Sequence, residues 1–343
     1  MTAVTPQVTF APKDFASDQE VRWCPGCGDY AILKATQKAL AEVGATPDKT
    51  VFISGIGCSS RFPYYLATYG FHTIHGRAPA VATGVKLARP DLDVWIATGD
   101  GDGLSIGGNH LLHVLRRNVD LQILLFNNEI YGLTKGQYSP TSHRGTRSPS
   151  SPQGTQEEPV SPAQFALGAG GRFVARAIDT QQKQLVEILK AAHAHRGASF
   201  IEVFQNCVVY NDNVFATFTE RAVAAEMQLS VAHGKPLLFA NGTRGVRLKP
   251  GTLTLEAVTI GEAGITETDI LIHDQTSKPL ASMLAALQPP AMPVALGVLY
   301  CNPTACLPLA PAEGAIDRAE LPQRIDAALR LGDTWTIEPR AGG

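Results

Sequence analysis

The sequence predicts an α/β fold, a doubly wound and mainly parallel sheet with a C-terminal extension. Short, continuously apolar runs alternate with segments whose apolar residues recur at helical spacing, the pattern of a parallel sheet covered on both faces. Glycines, aspartates and asparagines gather just after those runs, and in such sheets ligands bind beyond the carboxyl ends of the strands. From about residue 231 the pattern gives way to short strands and proline-rich turns, read as an appended small domain or wrap-around tail.

In chain order, residues 1–20 are polar, proline-containing and without clear period, and read as an arm. Residues 29–44 read as a helix, opened by Asp29 and closed by Gly44. Thr50–Ser54 is a short β-branched and aromatic strand followed at once by Gly55-Ile-Gly57. Val94–Thr98 is a second strand, ending in Gly99-Asp-Gly-Asp-Gly103. A helix is expected over 105–117, with cations in its last turn where the helix dipole favours them. A third strand, 121–126, ends at Asn127-Asn128, and a helix (181–195) and a strand (199–204) follow. Residues 139–162 hold too many Ser, Pro and Gly to make a core, so they form a long loop, mobile or ordered by a partner. The main domain is therefore expected over 21–230 and the extension over 231–343.

The chain has 343 residues, 44% of them hydrophobic and 17% charged, with a formal net charge of −2. That balance gives no electrostatic reason to expect a nucleic-acid partner. No apolar run approaches the ~20 residues of a membrane span, and the N-terminus lacks the basic and apolar regions of a secretory signal, so the cytoplasm is the expected location. Six cysteines stand at 24, 27, 58, 207, 301 and 306; in such a chain metal ligation or reactivity is favoured over a disulfide framework.

Two constellations carry chemistry. Gly99-Asp100-Gly101 closes one strand, and 26 residues separate Gly101 from Asn128 at the end of the next. One strand–helix–strand unit fits that interval, so Asp100 and Asn128 share a sheet edge. Magnesium takes hard oxygen ligands, commonly carboxylate plus phosphate, and the Asp100 carboxylate, the Asn128 amide and the Ile130 carbonyl supply three. The free N–H groups of the helix after Gly103 would face a diphosphate. This spacing resembles the thiamine-diphosphate fingerprint. The second constellation is Trp23-Cys-Pro-Gly-Cys-Gly28 with Cys58 and Cys207, each placed after a strand. Four thiolates suit zinc or a [4Fe–4S] cluster. Cys301 and Cys306 read as small apolar side chains.

WCPGCGDY, SGIGCSS, HGRAPAVATG, GDGDGLSIGGNH and NNEIYGLTKGQ, in this order over roughly residues 20 to 225, resemble the β subunit of 2-oxoacid:ferredoxin oxidoreductases. The resemblance implies a sheet of the thiamine-diphosphate-binding type. It implies that Cys24, Cys27, Cys58 and Cys207 ligate one [4Fe–4S] cluster and that Asp100, Asn128 and Ile130 hold Mg2+. Thiamine diphosphate would meet Ile56, Gly57, Cys58, Ser59, His75, Gly99, Gly101, Asp102, Asn128, Leu133 and Thr134. It implies CoA-dependent oxidative decarboxylation of a 2-oxoacid, reversible as reductive carboxylation, with electrons passing to ferredoxin. An α subunit would complete the site, in an αβ or (αβ)2 assembly. Lys135 falls where the family tunes its 2-oxoacid, and its ammonium would suit the distal carboxylate of 2-oxoglutarate; the long C-terminal extension also looks most like the 2-oxoglutarate enzymes. Pyruvate, or a broad range of 2-oxoacids, is the alternative substrate. His75 and Arg77 are further candidates for substrate contact. Two rival readings remain: a thiamine-dependent decarboxylase or synthase without a cluster, and a non-catalytic zinc scaffold.

Overall fold

The computed structural model describes residues 9–307, 319–333 and 335, and the chain divides into two units, Met1–Leu307 and Pro308–Gly343. Residues 1–8 of the expected arm, and 308–318, 334 and 336–343 of the expected extension, lie outside the described residues.

In the first unit the strands are β1 (Thr50–Ser54), β2 (Tyr69–His72), β3 (Asp93–Gly99), β4 (Leu121–Asn127), β5 (Ile130–Tyr131), β6 (Gln137–Tyr138), β7 (Phe173–Ile178), β8 (Ala198–Phe204), β9 (Gln228–Val231), β10 (Leu238–Phe239), β11 (Arg244–Leu248), β12 (Leu255–Thr259) and β13 (Val294–Cys301). Eight of them form one sheet in the order β2–β1–β3–β4–β8–β7–β13–β9. From β2 to β7 the neighbours run parallel; β13 is antiparallel to β7 and parallel to β9. The remaining strands make a two-stranded ribbon, β5–β6, and a three-stranded sheet, β10–β11–β12.

Helices cover both faces because the strands are apolar on both. Along β1 and β3, Val51, Ile53, Val94 and Ile96 turn to one core while Phe52 and Trp95 turn to the other. Helices α1 (Asp29–Glu42) and α6 (Gln182–Ala194) close the Phe52 side. Helices α2 (Ala78–Ala88), α4 (Gly108–Arg116) and α5 (Pro162–Gly168) close the Val51 side, with α3 (Asp100–Leu104) leading into α4. Each fully buried Ile or Phe of these cores contributes about 1.5–3 kcal/mol. The doubly wound, mainly parallel sheet is thus as the sequence predicts.

Three expectations change. The helix expected over 105–117 is α4, which begins three residues later, and a separate short helix, α3, precedes it from Asp100; Ser105, with non-helical backbone angles (φ −82°, ψ −108°), ends α3 and keeps the two apart. Secondly, the chain does not divide at 230/231. That point lies inside β9, and the apolar run Val294–Cys301 returns to pair with β7, so the sheet draws residues 228–301 into the first unit. Thirdly, residues 9–20 are not all a loose arm: Pro12–Phe15 forms a 3-10 turn and Phe15 is buried beside α1. In the second unit the helix Leu321–Leu329 is exposed along its length. Among the described residues no helix is long and apolar enough to cross a membrane.

Candidate functional site

Parallel strands end together, so β1, β3, β4, β7 and β8 deliver Gly55–Ser59, Asp100–Asp102, Asn128–Thr134, Asp179 and Gln205–Cys207 to one edge of the sheet. β1 leads to its neighbour on one side and β3 opens the other side, which makes the crevice between them the switch point of the sheet.

A cleft lies there. Every residue expected to meet thiamine diphosphate lines it: Ile56, Gly57, Cys58, Ser59, His75, Gly99, Gly101, Asp102, Asn128, Leu133 and Thr134. Asp100 and Ile130 line it as well. Asp102 is its organiser. The carboxylate is 2% exposed and accepts the backbone N–H groups of Ile56 (3.1 Å) and Gly76 (2.7 Å) and the Thr98 hydroxyl (2.7 Å), tying two loops and the end of β3 to one side chain. A Cβ on Gly55 would stand 1.9 Å from that carboxylate, so only glycine fits. His75 reaches Asp102 at 3.8 Å. Tyr131 donates its hydroxyl to the Gly101 carbonyl (2.8 Å), and its ring lies 2.4 Å from where a Gly101 Cβ would be.

Asp100 is also 2% exposed, and its Oδ2 accepts the hydroxyls of Ser139 (2.6 Å) and Thr141 (2.5 Å). Burial pushes its carboxyl above the usual range against those hydrogen bonds. The loop that carries Ser139 and Thr141 is therefore ordered by this chain's own carboxylate, where a mobile or partner-ordered loop was expected. Asn128 gives its amide N–H to Gln205 Oε1 (2.7 Å), and its Oδ1 accepts the Ile130 N–H (3.2 Å). A carboxylate, an amide oxygen and a carbonyl thus border one cleft, a donor set that suits a hard cation.

Cys24, Cys27, Cys58 and Cys207 line an adjoining cavity of about 200 Å³ that shares Cys58, Asn128, Gly132 and Leu133 with the cleft. Cys58 and Cys207 sulfurs each lie 3.5 Å from the place of a Gly132 Cβ, and hence at most twice that distance apart. Among the described residues no group of three or more His, Cys, Asp or Glu is gathered as one metal ion would require. Trp23 braces the quartet by donating its indole N–H to the Cys58 carbonyl (2.7 Å). Burial, with the Asp29 carboxylate next, pushes the Cys58 thiol up to about 12 and raises Cys27 further, so at these two positions an added positive charge would favour the thiolate. Asp29, at the start of α1, lines the cleft, leaves Oδ2 unpartnered, and is pushed up to about 7 by burial and then by Asp179.

Two candidates stand outside the cleft lining. Lys135 is exposed beyond Thr134, in a left-handed backbone conformation (φ 76°). Arg77 turns back, its guanidinium donating to the carbonyls of His75 (3.1 Å) and Ile106 (3.5 Å). Cys301 sits elsewhere, 3.9 Å from His195 Nδ1, and Cys306 lies near Asp120 and Arg196. The site also uses Ser139, Thr141, Tyr131 and Gln205, which the sequence did not mark; Tyr131 follows Ile130 directly and Gln205 stands two residues before Cys207, a proximity that could have found both, whereas Ser139 and Thr141 carry no ligand signature in their neighbours along the chain.

Residues 55–203 match the family described as thiamine pyrophosphate enzyme, C-terminal TPP binding domain. The chain is 56% identical over 263 residues to 2-oxoglutarate oxidoreductase subunit KorB of Mycobacterium tuberculosis, covering 76% of this chain and 69% of that one. It is 51% identical to 2-oxoacid:ferredoxin oxidoreductase 1, subunit beta, of Aeropyrum pernix, over 57% of this chain and 62% of the relative. Among solved structures, 2-oxoglutarate:ferredoxin oxidoreductase from Magnetococcus marinus, with 2-oxoglutarate, coenzyme A and succinyl-CoA bound, superposes with a TM-score of 0.70 at 34% identity, covering 94% of this chain and 92% of that one.

Proposed function

Because the chain belongs to the β subunits of the 2-oxoacid:ferredoxin oxidoreductases, we propose that with an α subunit it converts 2-oxoglutarate and coenzyme A to succinyl-CoA and CO2 and passes two electrons to ferredoxin. The C1–C2 bond of the 2-oxoacid breaks, CO2 leaves, and the acyl carbon is oxidised as the thioester bond forms. The observation that carries this reading is the sharing of Cys58, Asn128, Gly132 and Leu133 by the cleft and the four-cysteine cavity.

Thiamine diphosphate, when bound, supplies the carbon nucleophile and electron sink that decarboxylation needs. Asp100, Asn128 and the Ile130 carbonyl would hold the Mg2+ that neutralises its diphosphate. A [4Fe–4S] cluster on Cys24, Cys27, Cys58 and Cys207 would take electrons one at a time. A cavity bordered by four thiols, opening on the cleft where thiamine chemistry would release electrons, supports the cluster. The chain's own residues do the positioning. Asp102 fixes the Ile56 and Gly76 backbones, Tyr131 holds the Gly101 carbonyl, and Ser139 and Thr141 steady Asp100.

The cleft encloses only about 40 Å³, far below the ~300–1,000 Å³ of a complete ligand pocket, which supports an α subunit as its other wall. Lys135, exposed just beyond the cleft residues Leu133 and Thr134, would pair with the distal carboxylate of 2-oxoglutarate. Six free thiols suit a reducing cytoplasm.

The test is co-expression with the α partner, anaerobic purification, and viologen reduction with coenzyme A and either 2-oxoglutarate or pyruvate. The expected result is coenzyme A-dependent reduction that favours 2-oxoglutarate, with about four irons per chain. Lys135→Ala should raise KM for 2-oxoglutarate well above any change for pyruvate. Thiamine without iron would turn the reading to a decarboxylase or synthase, zinc with neither to a scaffold.

A further inference from the structure

Gln205 leaves the end of β8 two residues before Cys207 and is 1% exposed. Both ends of its amide are engaged. Nε2 donates to Cys27 Sγ (3.3 Å) and to the Asn206 carbonyl (2.6 Å), and Oε1 accepts from Asn128 Nδ2 (2.7 Å). Only this orientation meets all three partners, since two are acceptors and the third a donor. It settles Asn128 in turn. With Nδ2 given to Gln205, Asn128 must present Oδ1, the atom able to ligate a cation. Asn211, from the same loop, donates to the Asn128 backbone carbonyl (2.9 Å) and grips it from a second direction.

We propose that Gln205 is a positioning residue that couples the cation site to the cysteine cavity, its one amide orienting Asn128 and hydrogen-bonding the Cys27 sulfur. This rests on the cluster reading above. An N–H donor on a cluster thiolate stabilises the reduced, more negative cluster and so raises its potential. An outer hydrogen bond that fixes a metal ligand typically supports about 10–100-fold in metal affinity. Gln205 bears on both at once, so the energy of an electron on the cluster and the hold on the diphosphate are set through the same side chain.

Two substitutions separate the halves. In Gln205→Glu the carboxylate still accepts from Asn128 but cannot donate to Cys27. In Gln205→Leu all three contacts go, those to Asn128 and Cys27 included. The complex with its α partner is purified anaerobically; iron and sulfide are counted, the cluster potential is found by EPR-monitored titration, and thiamine-diphosphate affinity is measured calorimetrically against Mg2+. Gln205→Glu should lower the potential, shifting the reduction equilibrium about tenfold, ~59 mV for one electron, and leave the Mg2+ dependence unchanged. Gln205→Leu should lower the potential and weaken Mg2+-dependent binding about 10–100-fold. With full iron, an unchanged potential in the Glu variant overturns the coupling, as does a Leu variant that moves only one property. If the Leu variant does not assemble, the Glu variant decides alone. A wild-type complex without iron overturns the functional reading itself, and this inference with it.

Discussion

At the amino ends of the strands, Asp120 lies 3.5 Å from the Lys86 ammonium and 3.4 Å from the Arg196 guanidinium, and Asp93 lies 3.1 Å from His193. Asp120 also accepts the Gly197 N–H at 3.0 Å. At the carboxyl ends, Asp29, Asp100 and Asp179 are buried too, and none of them takes part in an ion pair of the described residues. Burial raises all three carboxyls. A buried carboxylate without a cation is costly to a fold. One end of the sheet balances its charge within the chain. The other keeps three carboxylates outside any ion pair of the described residues, and under the proposed function a bound cation would balance Asp100.

The two ends of the sheet should diverge most at Asp100. Asp100→Asn should remove Mg2+-dependent thiamine-diphosphate binding while leaving the thermal midpoint unchanged or higher, since a neutral amide replaces a desolvated acid. Calorimetry and a melting curve check the pair; a large fall in stability would make Asp100 structural. Asp120→Ala, at the other end, should do the reverse. It strands the buried Lys86 ammonium and should cost on the order of 3 kcal/mol in denaturant unfolding, with cofactor affinity untouched. Gly101→Ala is next: the new Cβ meets the Tyr131 ring, and about 1–3 kcal/mol of overpacking should appear together with weaker cofactor binding. The smallest effect is at His193, whose pKa is raised first by its hydrogen bond to Asp93. A raised histidine gives stability that is complete below its unfolded value of 6.5 and is lost as pH rises through the folded one. His193→Gln should flatten that window by on the order of 0.5 kcal/mol, seen as melting curves that no longer diverge from pH 6 to 8.

What the sequence disclosed follows from range. Strands such as Thr50–Ser54 were legible because buried on both faces they are apolar throughout, and the loops after them because glycine and aspartate are needed within a few residues of each other. Ser139 and Thr141 were not legible, since they act on a carboxylate 39 and 41 residues away and look like any turn-rich loop. The short helix Asp100–Leu104 was hidden because its Gly-Asp-Gly run has the composition of a turn. Nor could Val294–Cys301, an apolar run like the others, announce that it pairs with Phe173–Ile178 rather than with strands of its own small domain.

The loop hung on Asp100 also carries the exposed Arg144 and Arg147, and Arg144 makes an exposed pairing with Glu158 at 3.2 Å. To a trypsin-like protease those arginines are the accessible end of a tether whose other end is the Asp100 carboxylate. Cleavage there speeds up when the tether slackens, as in Ser139→Ala combined with Thr141→Val, so the cutting rate on a gel becomes a gauge of how firmly a hidden oxygen is held.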